Sequence, residues 1–120
     1  MPIESNIADV IAGMQARAEK IDSLVERTAR DCGEIARTNT LPLARVDTGR
    51  WRDSIQVLNI SQLSPGMWQL IFGSEGAFDE KGTNYGAIRE YIDGTIATGW
   101  FLSRPEFEDA WERNMAELKE

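Results

Sequence analysis

Histidine is absent from the 120 residues, and cysteine occurs once, at Cys32. A Ser-His-Asp or Cys-His catalytic system is therefore excluded. An internal disulfide cannot form, and zinc and transition metals lose their usual ligands. No apolar run approaches the roughly 18–20 residues of a membrane span. The opening stretch MPIESNIADV also lacks the basic-then-apolar order of a signal peptide. Positive charge is in deficit: 13 Lys and Arg face 20 Asp and Glu, a formal net charge of −7. Such a surface repels phosphate backbones, so tight non-specific DNA binding is not expected. These absences point to a soluble, acidic, intracellularly made protein without a membrane partner.

What is present suits one domain, 1–120. A chain of this length builds a single core, and four Trp, four Phe and two Tyr supply bulky material for it. Charge is unevenly spread. Residues 17–52 carry eight basic and six acidic side chains, whereas 53–120 carry five and twelve. The arginines of the first half read as a solvated helix face or as local contacts to an acidic partner.

Apolar residues at Ile7, Val10, Ile11, Met14, Ala18 and Ile21, continuing to Ile35 and Ala36, recur at i, i+3, i+4 and i+7. That spacing predicts one long amphipathic helix over about 4–37, ended by Leu41-Pro42. At 1.5 Å per residue it would be about 50 Å long, more than so small a domain can cover, so part of its stripe needs another surface. Gly13, Gly33 and the small side chains of one heptad column weigh against a coiled coil. Cys32 lies in the stripe and reads as a small buried hydrophobe.

Asp47 and Thr48 are N-cap types before a short helical turn. The runs 55–61 and 67–73 flank Pro65-Gly66 and predict a β-hairpin. Trp68, Leu70 and Phe72 share one face and Met67 and Ile71 the other, so both faces want cover: one from the long helix, the other from the C-terminal helix or a neighbouring subunit. Residues 73–84, with three glycines and three acids, form a loop with neither an EF-hand ligand pattern nor a phosphate cradle. Residues 85–92 read as a short helix or a strand that rejoins the sheet. Ser103, Pro105 and Glu106 have the form of a capping box that opens a last helix over about 104–118, with Phe107, Ala110, Trp111, Met115 and Leu118 on its apolar face. Trp100, Phe101 and Leu102 read as core anchors for that helix. The fold class is α+β: a small antiparallel sheet packed with a long N-terminal helix and a C-terminal helix. No catalytic, cofactor or metal constellation emerges, and an enzyme is not expected.

Three segments in order carry a resemblance. Asp47-Thr48-Gly49-Arg50-Trp51-Arg52-Asp53-Ser54-Ile55 is similar to the D-T-G-x-L-R-x-S-I box of small tailed-bacteriophage neck proteins, with Trp51 in the usual leucine position. Tyr85-Gly86-Ala87, followed by Glu90-Tyr91-Ile92-Asp93-Gly94-Thr95, resembles that family's Y-A-x-x-V-E-F-G-T segment, with Ile92 and Asp93 as extra residues. Trp100-Phe101-Leu102-Ser103-Arg104-Pro105 resembles its P-F-L-x-P-A entry into the last helix. The likeness spans about 4–118 and points to the head–tail joining and tail-completion proteins, the HK-ninety-seven gene-ten-like group.

The resemblance implies a virion component made in the host cytoplasm. It would form a homo-oligomeric ring of six or twelve copies between the head connector and the tail tube protein, beside other neck proteins. DNA would pass through the channel without specific binding, and no cofactor is implied. Candidate subunit or partner contacts are Thr48, Gly49, Arg50, Trp51 and Arg52; Glu75 and Phe78 in the 73–84 loop; Tyr85, Glu90, Gly94 and Thr95; and Trp100 and Phe101. Glu90 would pair with an arginine of the next subunit or stay solvated, and the 73–84 loop would order on docking. The alternative is a small bacterial coiled-coil interaction or regulatory module.

Overall fold

A computed structural model describes residues 3–44, 50–78 and 81–119, and side chains from residue 7 onward except those of Tyr85 and Arg89. The first helix, α1 (Ile3–Thr40), is a single continuous rod of 38 residues. No proline interrupts it, and Pro42 follows in a 3-10 turn at Leu41–Leu43 that closes it. Next come a short α2 (Arg50–Ser54), the strands β1 (Gln56–Ser64) and β2 (Met67–Gly73), α3 (Tyr85–Asp93), α4 (Thr95–Met115) and a 3-10 turn at Ala116–Lys119. The α+β class, with a long N-terminal helix, a two-stranded antiparallel sheet and a C-terminal helix, is what the structure shows.

The hairpin is antiparallel, and Leu58 and Leu63 fall at its two register irregularities. Pro65 and Gly66 make the turn. Gly66 has φ 77°, the conformation that position i+2 of a type II turn requires. The hairpin lies along α1. At its turn end, Asp22 Oδ1 accepts from Gln62 Nε2, the Gly66 N–H and Trp68 Nε1 at 2.8, 2.7 and 3.1 Å. Further down, a Cβ on Gly33 would stand 2.6 Å from Val57 Cγ2, so the glycine lets helix and strand approach. Trp68, Leu70 and Phe72 are half-buried on this side, whereas Met67 and Ile71 remain exposed. Among the described residues, nothing covers the Met67 and Ile71 side of the hairpin.

The other flank of α1 holds α4, running antiparallel. Thr40 meets Gly99, Asn39 Nδ2 donates to Ser103 Oγ at 2.9 Å, Asn114 Nδ2 donates to Thr28 Oγ1 at 2.9 Å, and Arg27 Nη1 donates to Glu117 Oε1 at 2.7 Å. This seam is built from small and polar residues: Ala36, Ala110, Gly99, Ser103 and Asn114 are all buried. A compact satellite of Ala44, Trp51, Ile55 and Ala77 completes the core, with Leu41, Phe72 and Ile96 against it.

Several expectations are corrected. The last helix begins at Thr95, not near 104, and there is no capping box at Ser103. Ser103 is buried mid-helix and donates to the Gly99 carbonyl at 2.6 Å, while Pro105 lies inside the helix. The true cap comes from outside. Glu90 on α3 accepts from the Ile96 and Ala97 N–H groups at 2.8 and 3.1 Å, satisfying two free donors of the first turn. Starting at Thr95 also sets the phase. Thr95, Gly99, Ser103, Ala110 and Asn114 face inward, which leaves Phe101 and Leu102 exposed instead of serving as core anchors, and Trp111 exposed as well. Of the two readings of residues 85–92, the short helix is the one found, as α3.

The molecule is long: 75 × 27 × 18 Å, with a radius of gyration of 20.2 Å, against about 14 Å for a compact chain of this size. The cause is α1. Residues 20–40 are flanked by α4 and the hairpin, and residues 7–20 are exposed at every position.

Candidate functional site

Two apolar surfaces lack a partner among the described residues. One is the projecting part of α1, where Ile7, Val10, Ile11 and Met14 form an exposed apolar stripe, Val10 at 60% and Met14 at 66%. In an amphipathic helix this stripe is the one that packs, and among the described residues no other element reaches α1 on the N-terminal side of residue 20.

The other is an open groove of 720 Å³ between β2 and the first turns of α4, with Ile71, Phe72, Ile96, Trp100 and Phe101 on its walls and Arg104 at its edge. Phe72 and Trp100 stack with ring centroids 6.0 Å apart, and Phe107 meets Trp100 at 4.8 Å. These contacts fix the indole. Phe101 stands 63% exposed, and the Arg104 guanidinium lies 6.0 Å from its ring centroid. A smaller concavity next to it takes in Leu102, Pro105 and Glu108.

The candidate residues from the sequence divide between this groove and the neighbouring loop. Glu90, Trp100 and Phe101 come together at the groove. Both Glu90 oxygens are engaged in capping α4 within the same chain. Gly94 has φ 61°, ends α3 by donating to the Glu90 carbonyl at 2.8 Å and accepts from the Thr98 N–H. Thr95 is buried behind it. Gly94-Thr95 is thus the joint that lets α4 turn off α3 so that Trp100 and Phe101 reach the groove. A second hollow beyond Glu90 and Ile96 is lined by Trp51, Ser74, Asn84 and Tyr91.

Trp51 is buried at 4% exposure, Arg52 and Glu75 are exposed, and Arg50 Nη1 donates to the Phe78 carbonyl at 3.3 Å. Phe78 itself is half-exposed. Thr48 and Gly49 lie outside the described residues, as do Asp79, Glu80 and the Tyr85 side chain. The described part of the 73–84 loop is tied down. Asn84 Oδ1 accepts from the Ala77 and Ala87 N–H groups, the Gly86 N–H donates to the Ala77 carbonyl, and Ala77 is buried.

Sequence reasoning missed the contribution of β2 and Arg104 to the groove. A signal existed, because three bulky apolar residues in a row, Trp100 to Leu102, cannot all face inward from a helix. Among the described residues no group of three or more His, Cys, Asp and Glu could hold a metal ion. No helix there is long and apolar enough to cross a membrane. Burial pushes the Cys32 thiol above its ordinary pKa, and the neighbouring Asp31 carboxylate adds to the rise.

Comparison with known proteins adds no relative: no family model, no curated protein and no solved structure matches this chain.

Proposed function

We propose that the protein is a structural subunit of a tailed-phage or prophage neck, a ring-forming tail-completion or terminator protein between the head connector and the tail. The observation that carries this reading is the coexistence on one chain of two separate apolar surfaces, the projecting stripe of α1 and the Trp100–Phe101 groove, each without a partner among the described residues. Ring subunits need two different patches, because each copy meets its neighbours on either side through unlike surfaces. The order of the three resembling segments supports the same reading. The net charge of −7 suits a conduit along which DNA slides by repulsion. Its work is assembly, and it catalyses no reaction.

Native mass spectrometry across a concentration series, with negative-stain images of the same samples, tests the proposal. The expected result is a closed ring with an open centre, of six or twelve copies. A stable dimer or trimer at all concentrations, with no closed species, overturns it in favour of an interaction module.

A further inference from the structure

We infer that Gly13 is a built-in weak point of α1: the turns before it open and re-form as helix on their own, while the rest of the fold stays intact. The inference does not rest on the ring reading.

Four glycines lie inside helices of the described residues, Gly13, Gly33, Gly86 and Gly99. A Cβ on three of them would come within 2.9 Å of a neighbour: Val57 from Gly33, Ala77 from Gly86 and Thr40 from Gly99. Gly13 has nothing within 4 Å. No close approach calls for a glycine there, so what it contributes is its effect on the backbone, which in a helix interior is destabilising.

The sequence changes character at this residue. Behind it, residues 14–20 (Met, Gln, Ala, Arg, Ala, Glu, Lys) are all strong helix formers. Ahead of it, Ile7, Val10 and Ile11 are stiffened by β-branching, and Asp9 competes for backbone hydrogen bonds.

Tertiary contacts do not make up the difference. Every residue from 7 to 20 is exposed. Among the described residues, no side chain from 7 to 19 has a hydrogen bond or ion pair. The first ties come at Lys20, whose Nζ donates to the Glu117 carbonyl at 2.9 Å, and at Asp22, which accepts three donors of the hairpin. That pinned turn is a preformed nucleus from which residues 14–19 propagate as helix at little cost. Past Gly13 the helix must propagate through poor formers without the packing that supplies most helical stability in proteins. Ile7, Val10 and Ile11 are therefore aligned into a stripe only while these turns are helical, and the domain keeps its fold when they are not.

The test reads amide hydrogen exchange by NMR and thermal unfolding on the full-length chain and on two variants, Gly13→Ala and Ala12→Pro, both at exposed positions. Amides up to Arg17 bond to carbonyls at or before Gly13. In the parent, those of residues 8–17 are expected to exchange several-fold faster than those from Ala18 onward, with residues 24–36 slowest. Gly13→Ala is expected to slow exchange over 8–17 about fivefold, and Ala12→Pro to abolish protection over 8–11. Both should leave the midpoint of global unfolding unchanged. Equal protection of residues 8–17 and 24–36 in the parent overturns the inference, in whatever state of assembly the chain is found. It is also overturned if Gly13→Ala raises the midpoint by about 4 °C or more, or if Ala12→Pro lowers it, since either result places these turns inside the cooperative unit of the fold.

Discussion

Gly99 of α4 crosses Thr40 of α1 so closely that a Cβ on the glycine would stand 2.7 Å from the Thr40 Cβ and 2.9 Å from its Cα. The Thr40 hydroxyl beside it is buried without a hydrogen-bond partner. Gly99→Ala gains helix propensity of about 1 kcal/mol but must push the two helices apart. Overpacking of this kind costs about 1–3 kcal/mol, and the Thr40 backbone cannot yield as a side chain would. Thermal unfolding is expected to show net destabilisation. Thr40→Ala removes an unsatisfied hydroxyl and is expected to be near neutral. Added to Gly99→Ala it recovers part of the loss, which a double-mutant cycle would measure.

Asp22 gathers three donors from the hairpin on one oxygen. Asp22→Ala leaves the Trp68 indole and the Gly66 amide without that acceptor. The expected cost is about 1–3 kcal/mol, together with faster hydrogen exchange at Gly66 and a changed Trp68 emission. Exchange at Ala97 should be unaffected.

Glu90→Ala removes the carboxylate that caps α4. The expected loss is about 1 kcal/mol, with protection of the Ile96 and Ala97 amides falling first. Glu90→Gln keeps an acceptor and should retain part of that protection while losing the favourable charge at the helix N-terminus.

Cys32 holds its proton more tightly in the folded chain than in the unfolded one, because burial and Asp31 both disfavour the thiolate. A folded-state pKa above the unfolded value gives a contribution to stability that is full below the unfolded pKa and is lost as pH rises through the folded one. Alkylation by iodoacetamide near pH 8 is therefore expected to run several-fold slower than for a free thiol of about pKa 8.5. Cys32→Ser should flatten the alkaline end of the stability profile.

Much of this architecture was legible in the residues. The 3.6-residue spacing from Ile7 to Ala36 marks α1, and Pro65-Gly66 between apolar runs marks the hairpin. What misled was local evidence that tertiary contacts override. Ser103, Pro105 and Glu106 look like a helix start, but Glu90 supplies a cap nine residues earlier in α4, and Asn39 takes up Ser103 and Glu106 from α1. Gly33 reads as a weak point in a helix, yet it marks where β1 comes closest to α1, as Gly99 marks the closest approach of α4. The groove itself was not legible, because it depends on how β2 and α4 lie side by side.

The seam between α1 and α4 joins residues far apart along the chain: Asn39 with Ser103, Thr28 with Asn114, Arg27 with Glu117. On the ribosome, α1 is complete long before α4 has emerged, while the hairpin that covers its other flank arrives in between. One side of the rod therefore stays bare through most of synthesis, and loop closure over this distance makes its docking a slow step. Neighbouring nascent chains on one messenger would meet with that side open, and the small, polar side chains of Thr28, Asn39 and Thr40 on it make it a poor surface for sticking to the wrong copy.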